Sequence, residues 1–141
     1  MNGPLLEWIA KAEEDYRIAV RSVRYRRLPT YAGVCFHCQQ CAEKYLKGLH
    51  IRLGLTFTHT HDLERLLDLL VKTVPALGSL RKDIEDLNLY SVTPRYPGFA
   101  PTVADAQNAV AAMKRVRLPL RKLLGVHRNR KRAAAKKPRT P

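Results

Sequence analysis

The sequence has no apolar run approaching the ~18 residues that a membrane-spanning helix needs. Its opening, MNGPLLEWIAKAEEDY, has no basic stretch leading into an apolar one with a small-residue cleavage site. The expectation is a cytoplasmic chain with no membrane partner.

Cysteine is scarce, and its three copies crowd between positions 35 and 41. An odd number so closely spaced cannot build a disulfide framework, so free thiols are expected. Cys35, Cys38 and Cys41, with His37 between them and His59 and His61 a loop away, also raise zinc or an iron–sulfur cluster. Along a helix, however, positions i, i+3 and i+6 span ~9 Å and sweep around the axis. Core thiols are the expectation, with no metal and no cofactor. The chain also lacks a glycine-rich phosphate loop, a nucleophile elbow and a Glu-x-x-His pair. The common enzyme classes that depend on them are excluded.

Acidic residues run out early. The last is Asp105, whereas 12 of the 26 Lys and Arg residues lie beyond it. The net charge is +14, but residues 1–105 hold 14 basic against 12 acidic residues and carry only +2. A field so polarised attracts polyanions such as nucleic acid or an acidic protein. Residues 125–141, GVHRNRKRAAAKKPRTP, show no apolar periodicity and hold seven Lys or Arg and two prolines, which predicts a disordered basic tail after a domain at 1–124.

What is present is helical periodicity. Leu5, Trp8, Ile9, Ala12, Tyr16, Ala19 and Val23 form a stripe that predicts a helix from Pro4 to about Arg27, with Asn2 as N-cap and Leu28 and Pro29 ending it. Thr30 is the expected cap of a second helix reaching about Leu53, with Gly54 as its stop. Thr60 opens a third that runs to Pro75, and a shorter fourth covers about Ser79 to Tyr90. The segment SVTPRYPGFAP, with three prolines and a glycine, must turn. Thr102 with Asp105 then forms a capping box for a last helix reaching about Leu124, where Pro119 should kink or fray the end. No stretch alternates as a strand does. The fold class is all-α, an antiparallel, up-and-down bundle of four to five helices.

The string Phe36, His37, Cys38, Gln39, Gln40, followed by Ala42, Glu43, Lys44, Tyr45, Leu46 and Lys47, resembles the HEPN family of prokaryotic helical domains. Thr60, His61, Asp62, Leu63 and the segment Arg95, Tyr96, Pro97 agree with it, and the likeness spans residues 5 to about 118. The resemblance implies a helical bundle, commonly a homodimer, often encoded beside a small nucleotidyltransferase, with activities from nucleotide binding to ribonuclease toxin. Ribonuclease members carry Arg, four to six residues, then His, near the start of the last long helix. Here Arg95 is followed by YPGFAPTVADA, which holds no histidine, so that position is empty. Two pairs match the spacing elsewhere: Arg52 with His59, and Arg121 with His127.

The candidate phosphate-binding residues are therefore Arg95 and Tyr96, in a loop where a guanidinium can fork onto phosphate oxygens, together with Lys44, Lys47 and His61. Lys44 and Lys47, three apart, form a cationic row or else sit in ordinary ion pairs. For His61 and Asp62 an acid–base role competes with simple capping by Asp62. The reading that follows is a protein that binds a nucleotide or RNA phosphate, acts with a nucleotidyltransferase partner in a toxin–antitoxin-like or stress-response module, and has no catalysis of its own. The alternatives are a metal-independent ribonuclease toxin and a non-catalytic dimerisation module.

Overall fold

A computed structural model describes residues 3–27, 29–57, 59–91 and 97–126. Among them the chain forms α1 (Gly3–Ser22), α2 (Tyr31–Arg52), α3 (Leu63–Thr73), a 3-10 turn (Pro75–Leu80), α4 (Arg81–Asn88) and α5 (Val103–Leu123), with no strand.

The long middle helix is the axis of the molecule. More than half of the 22 residues of α2 are buried, on several sides of the helix, because α1 and α5 pack along it while α3 and α4 cover what is left. The core gathers Leu5, Ile9 and Ala12 from α1, Tyr45, Leu46 and Leu49 from α2, Leu66, Leu67 and Leu70 from α3, and Val116 and Leu120 from α5. Contacts from Asp15 to Lys44 and from Trp8 to Lys47 set α1 antiparallel to α2. α5 returns in the same direction as α2, since Leu124 closes beside Gly48.

Helices α2 and α5 end in the same device. Gly54 (φ 69°) donates to the carbonyl of Ile51 while Leu55 donates to that of His50, and Gly125 (φ 75°) and Val126 repeat the pattern on Lys122 and Arg121. Each glycine adopts the left-handed conformation that closes the last turn. Gly125 and Val126 thus complete the α5 cap, although composition alone assigned them to the tail. Residues 127–141 lie outside the described residues, as do Asn2 and Leu28.

Three boundaries and the chemistry of one cap differ from the sequence expectation. α1 stops at Ser22, not Arg27, and tightens into a turn at Val23 and Arg24. Arg21, Arg24, Arg26 and Arg27 crowd that end, and like charges three apart disfavour another helical turn. Thr30 stands at the α2 cap position without a side-chain hydrogen bond. α3 is capped by Asp62, not Thr60; its carboxylate accepts from the backbone of Glu64 (3.0 Å) and Arg65 (3.3 Å). The fourth piece is a 3-10 turn running into α4. The capping box of α5 forms as expected, with Asp105 N–H donating to Thr102 Oγ1 at 3.1 Å and Thr102 N–H to Asp105 Oδ2 at 2.8 Å. Pro119 lies inside α5, which stays helical through Leu123.

Candidate functional site

Two polar clusters flank α1. The first lies between α1, α2 and the loop before α3, and it holds three of the residues singled out from the sequence. Asp15, nearly buried, accepts from Lys44 Nζ at 2.5 Å and from His37 Nδ1 at 2.7 Å. Glu43, also buried, accepts from Lys47 Nζ at 3.2 Å and from His61 Nδ1 at 2.8 Å. Gln39 bridges Glu43 and the His61 carbonyl, and Gln40 donates to Gln39. Lys47 is only 6% exposed, with its ammonium near the rings of Trp8 and Phe57.

Lys44 and Lys47 therefore do not form an open cationic row. Each faces a desolvated carboxylate, because a buried charge must be paired to be tolerated. His61 is held by Glu43, from the neighbouring helix, and not by adjacent Asp62, whose carboxylate caps α3. This cluster is close to charge-balanced and ties α1 and the α2–α3 loop to the central helix.

The second cluster joins α1 to the end of α5. Glu13 accepts from Arg117 Nη2 at 2.8 Å and also from the Arg121 guanidinium, and Arg117 lies over the Tyr16 ring at 3.8 Å from its centroid. Beside them is a hollow of about 680 Å³ lined by Tyr16, Arg117, Leu118, Arg121, Lys122 and Val126. Lys122 is exposed and has no ion-pair partner among the described residues. Two guanidiniums thus share one carboxylate, and Lys122 adds a third cation to the hollow. Guanidiniums oriented by a carboxylate and an aromatic ring are preorganised to fork onto an incoming anion.

Of the sequence candidates among the described residues, Arg121 alone lies on this hollow, engaged with Glu13. Arg52 is exposed at the end of α2, with Nη2 3.8 Å from where a Cβ on Gly125 would stand; His59 is exposed in the following loop. No contact joins Arg52 to His59 among the described residues. Arg95, Tyr96 and His127 lie outside the described residues. Sequence reasoning missed Glu13, Tyr16, Arg117 and Lys122. The available hint was the excess of basic residues after Asp105, which gives no sign of which acid they meet.

Cys35, Cys38 and Cys41 are buried free thiols. Burial pushes Cys35 up to about 11, and it raises Cys38 and Cys41 well above the ordinary thiol range. Such groups stay protonated and serve as core side chains. Among the described residues no three His, Cys, Asp or Glu side chains are placed to hold a metal ion, and no helix is long and apolar enough to cross a membrane.

A family model described as HEPN domain matches residues 5–123, the whole of the bundle from α1 to the last turn of α5. The chain belongs to the HEPN domain family. A solved structure, that of TT1696 from Thermus thermophilus, is 27% identical over 86% of this chain and 99% of that one, with a TM-score of 0.75. No curated protein matches. The HEPN match includes both walls of the arginine-lined hollow, Tyr16 on one side and Arg117 and Arg121 on the other.

Proposed function

We propose that this HEPN protein binds a phosphate-bearing ligand, a nucleotide or the backbone of RNA, in the hollow between α1 and α5. The observation that carries this reading is the sharing of Glu13 between Arg117 and Arg121, with Lys122 beside them. One negative charge offsets only one of the three cations, so a positive surplus faces open solvent and favours an anion. Leu118 and Val126 give the same hollow apolar lining against which a base can rest.

Calorimetry with ATP, GTP and a short RNA tests it. Binding should weaken as salt rises, and Arg121→Ala should weaken it further at every salt concentration. Arg117 still holds Glu13 in that variant, so the fold stays intact. Affinity equal to wild type in the Arg121→Ala protein would sink the reading. Co-purification with a nucleotidyltransferase encoded beside it is the corresponding check on the expected partner.

A second reading, the metal-independent ribonuclease, is favoured by one specific feature. Arg121 lines the hollow and precedes His127 by the spacing that the family's ribonucleases use. In that chemistry the imidazole takes the proton of a 2′-hydroxyl and the guanidinium stabilises charge on the phosphorus oxygens. RNA cleavage in EDTA that disappears in His127→Ala would establish it, and intact RNA after incubation with wild-type protein would dismiss it.

A further inference from the structure

Arg17 and Arg21, at i and i+4 on one side of α1, and Arg24, in the turn that follows it, line one depression, and all three are exposed. None makes an ion pair among the described residues. Some cations elsewhere on the surface are paired, Arg81 with Asp68, Lys82 with Asp86 and Arg115 with Asp83, and what sets Arg17, Arg21 and Arg24 apart is that they cluster around one depression. The two acids within reach of Arg17 are already engaged, Glu13 by Arg117 and Arg121, and Glu14 by Lys11. Arg21 and Arg24 have no acid three or four positions away in either direction. Three like charges so close repel one another, and a bound anion relieves that repulsion.

The three arginines also adjoin the hollow described above. A second depression, about 230 Å³, is lined by Tyr16, Arg17, Val20, Arg21 and Arg24, and Tyr16 lines both. Beyond Arg24 the chain presents Tyr25, 59% exposed. The cationic surface therefore runs from the turn after α1 to the end of α5, with Tyr25 exposed at its outer end and half-buried Tyr16, under Arg117, at its middle.

We propose that this surface is a track for a single-stranded polynucleotide, which runs along α1 and enters the α1–α5 hollow past Tyr16. The proposal rests on the phosphate reading of that hollow and extends it from one nucleotide to several. Arg17 and Arg21, about 6 Å apart along the helix axis, and Arg24 in the turn beyond contact successive phosphates, because each helical residue advances the axis by about 1.5 Å. Tyr25 and the depressions beside Tyr16 accept bases, whose faces are free for stacking in a single strand and not in a duplex.

The test uses the full chain, so the basic tail contributes equally in every variant. Fluorescence anisotropy would follow a labelled 12-nucleotide oligouridylate, and its DNA counterpart, across a salt series. The proteins are wild type, Arg121→Ala and the triple variant R17A/R21A/R24A, with circular dichroism confirming their folds and ATP calorimetry run in parallel. The triple variant should bind the oligomers at least tenfold more weakly, with ATP affinity unchanged. The slope of log affinity against log salt should become shallower by about 2, three phosphate contacts at about 0.7 each. Wild-type affinity and slope in the triple variant would overturn the track. So would equal competition by a duplex of the same length or by polyglutamate. If the triple variant loses the oligomer while Arg121→Ala leaves ATP binding untouched, the track stands and the phosphate reading of the hollow falls.

Discussion

His50 is fully buried, with its Nε2 donating to the Leu66 carbonyl at 2.9 Å and its Nδ1 without a partner among the described residues. A carbonyl only accepts, so the proton sits on Nε2 and the ring is neutral. Burial lowers its pKa below the ordinary 6.5. The unfolded state therefore takes up a proton first as pH falls, and stability declines from about pH 6.5 downward through the depressed folded value. Urea unfolding between pH 7.5 and 5 should show that decline, and His50→Gln, which keeps an amide donor but cannot titrate, should make it shallower. Tyr45 has the complementary defect: its hydroxyl is buried with no partner among the described residues. Tyr45→Phe removes an unsatisfied polar atom without changing the ring, so denaturation should show unchanged or higher stability, by up to about 1 kcal/mol.

Helix ends illustrate how local signals combine with distant ones. The Thr102 and Asp105 capping box is complete within four residues, so the sequence alone revealed it, and Thr102→Ala should cost about 1 kcal/mol in thermal unfolding. The start of α3 was not legible in the same way, because Thr60 and Asp62 are both capable caps. Asn88 decides between them: its side chain accepts from Leu63 N–H at 2.8 Å and donates to Asp62 at 3.0 Å, from 26 residues further along the chain. Inside α2, a Cβ on Gly48 would meet Leu5, Trp8 and Leu124 atoms at 3.6 to 3.9 Å, which is ordinary contact. Gly48→Ala therefore keeps the packing and gains helix propensity, and its melting temperature should rise, by an amount equivalent to about 0.5–1 kcal/mol.

On the scale of the molecule, Glu13 both holds α1 to α5 and subdues the cationic hollow, so the two roles oppose each other. Glu13→Gln should weaken the fold by about 1 kcal/mol, since the lost pairs are partly exposed. It should also strengthen binding of ATP, because Arg117 and Arg121 would then face only the ligand. Calorimetry and chemical denaturation on the same preparation check both signs at once, and a loss of ATP affinity would contradict the second.

The all-helical class, the order of the elements and the concentration of positive charge after Asp105 follow from the sequence, because periodicity, capping and net charge are properties of neighbouring residues. A helical wheel likewise places Lys44 and Lys47 on one face of α2. It cannot say that Asp15 from another helix neutralises Lys44, while Glu43 and two aromatic rings enclose Lys47. The meeting of Glu13 with Arg117 and Arg121, across more than 100 residues, was decided only by how α1 and α5 flank α2. Charge is counted along the chain, but whether a cation is free to meet a phosphate depends on which carboxylate the fold brings beside it.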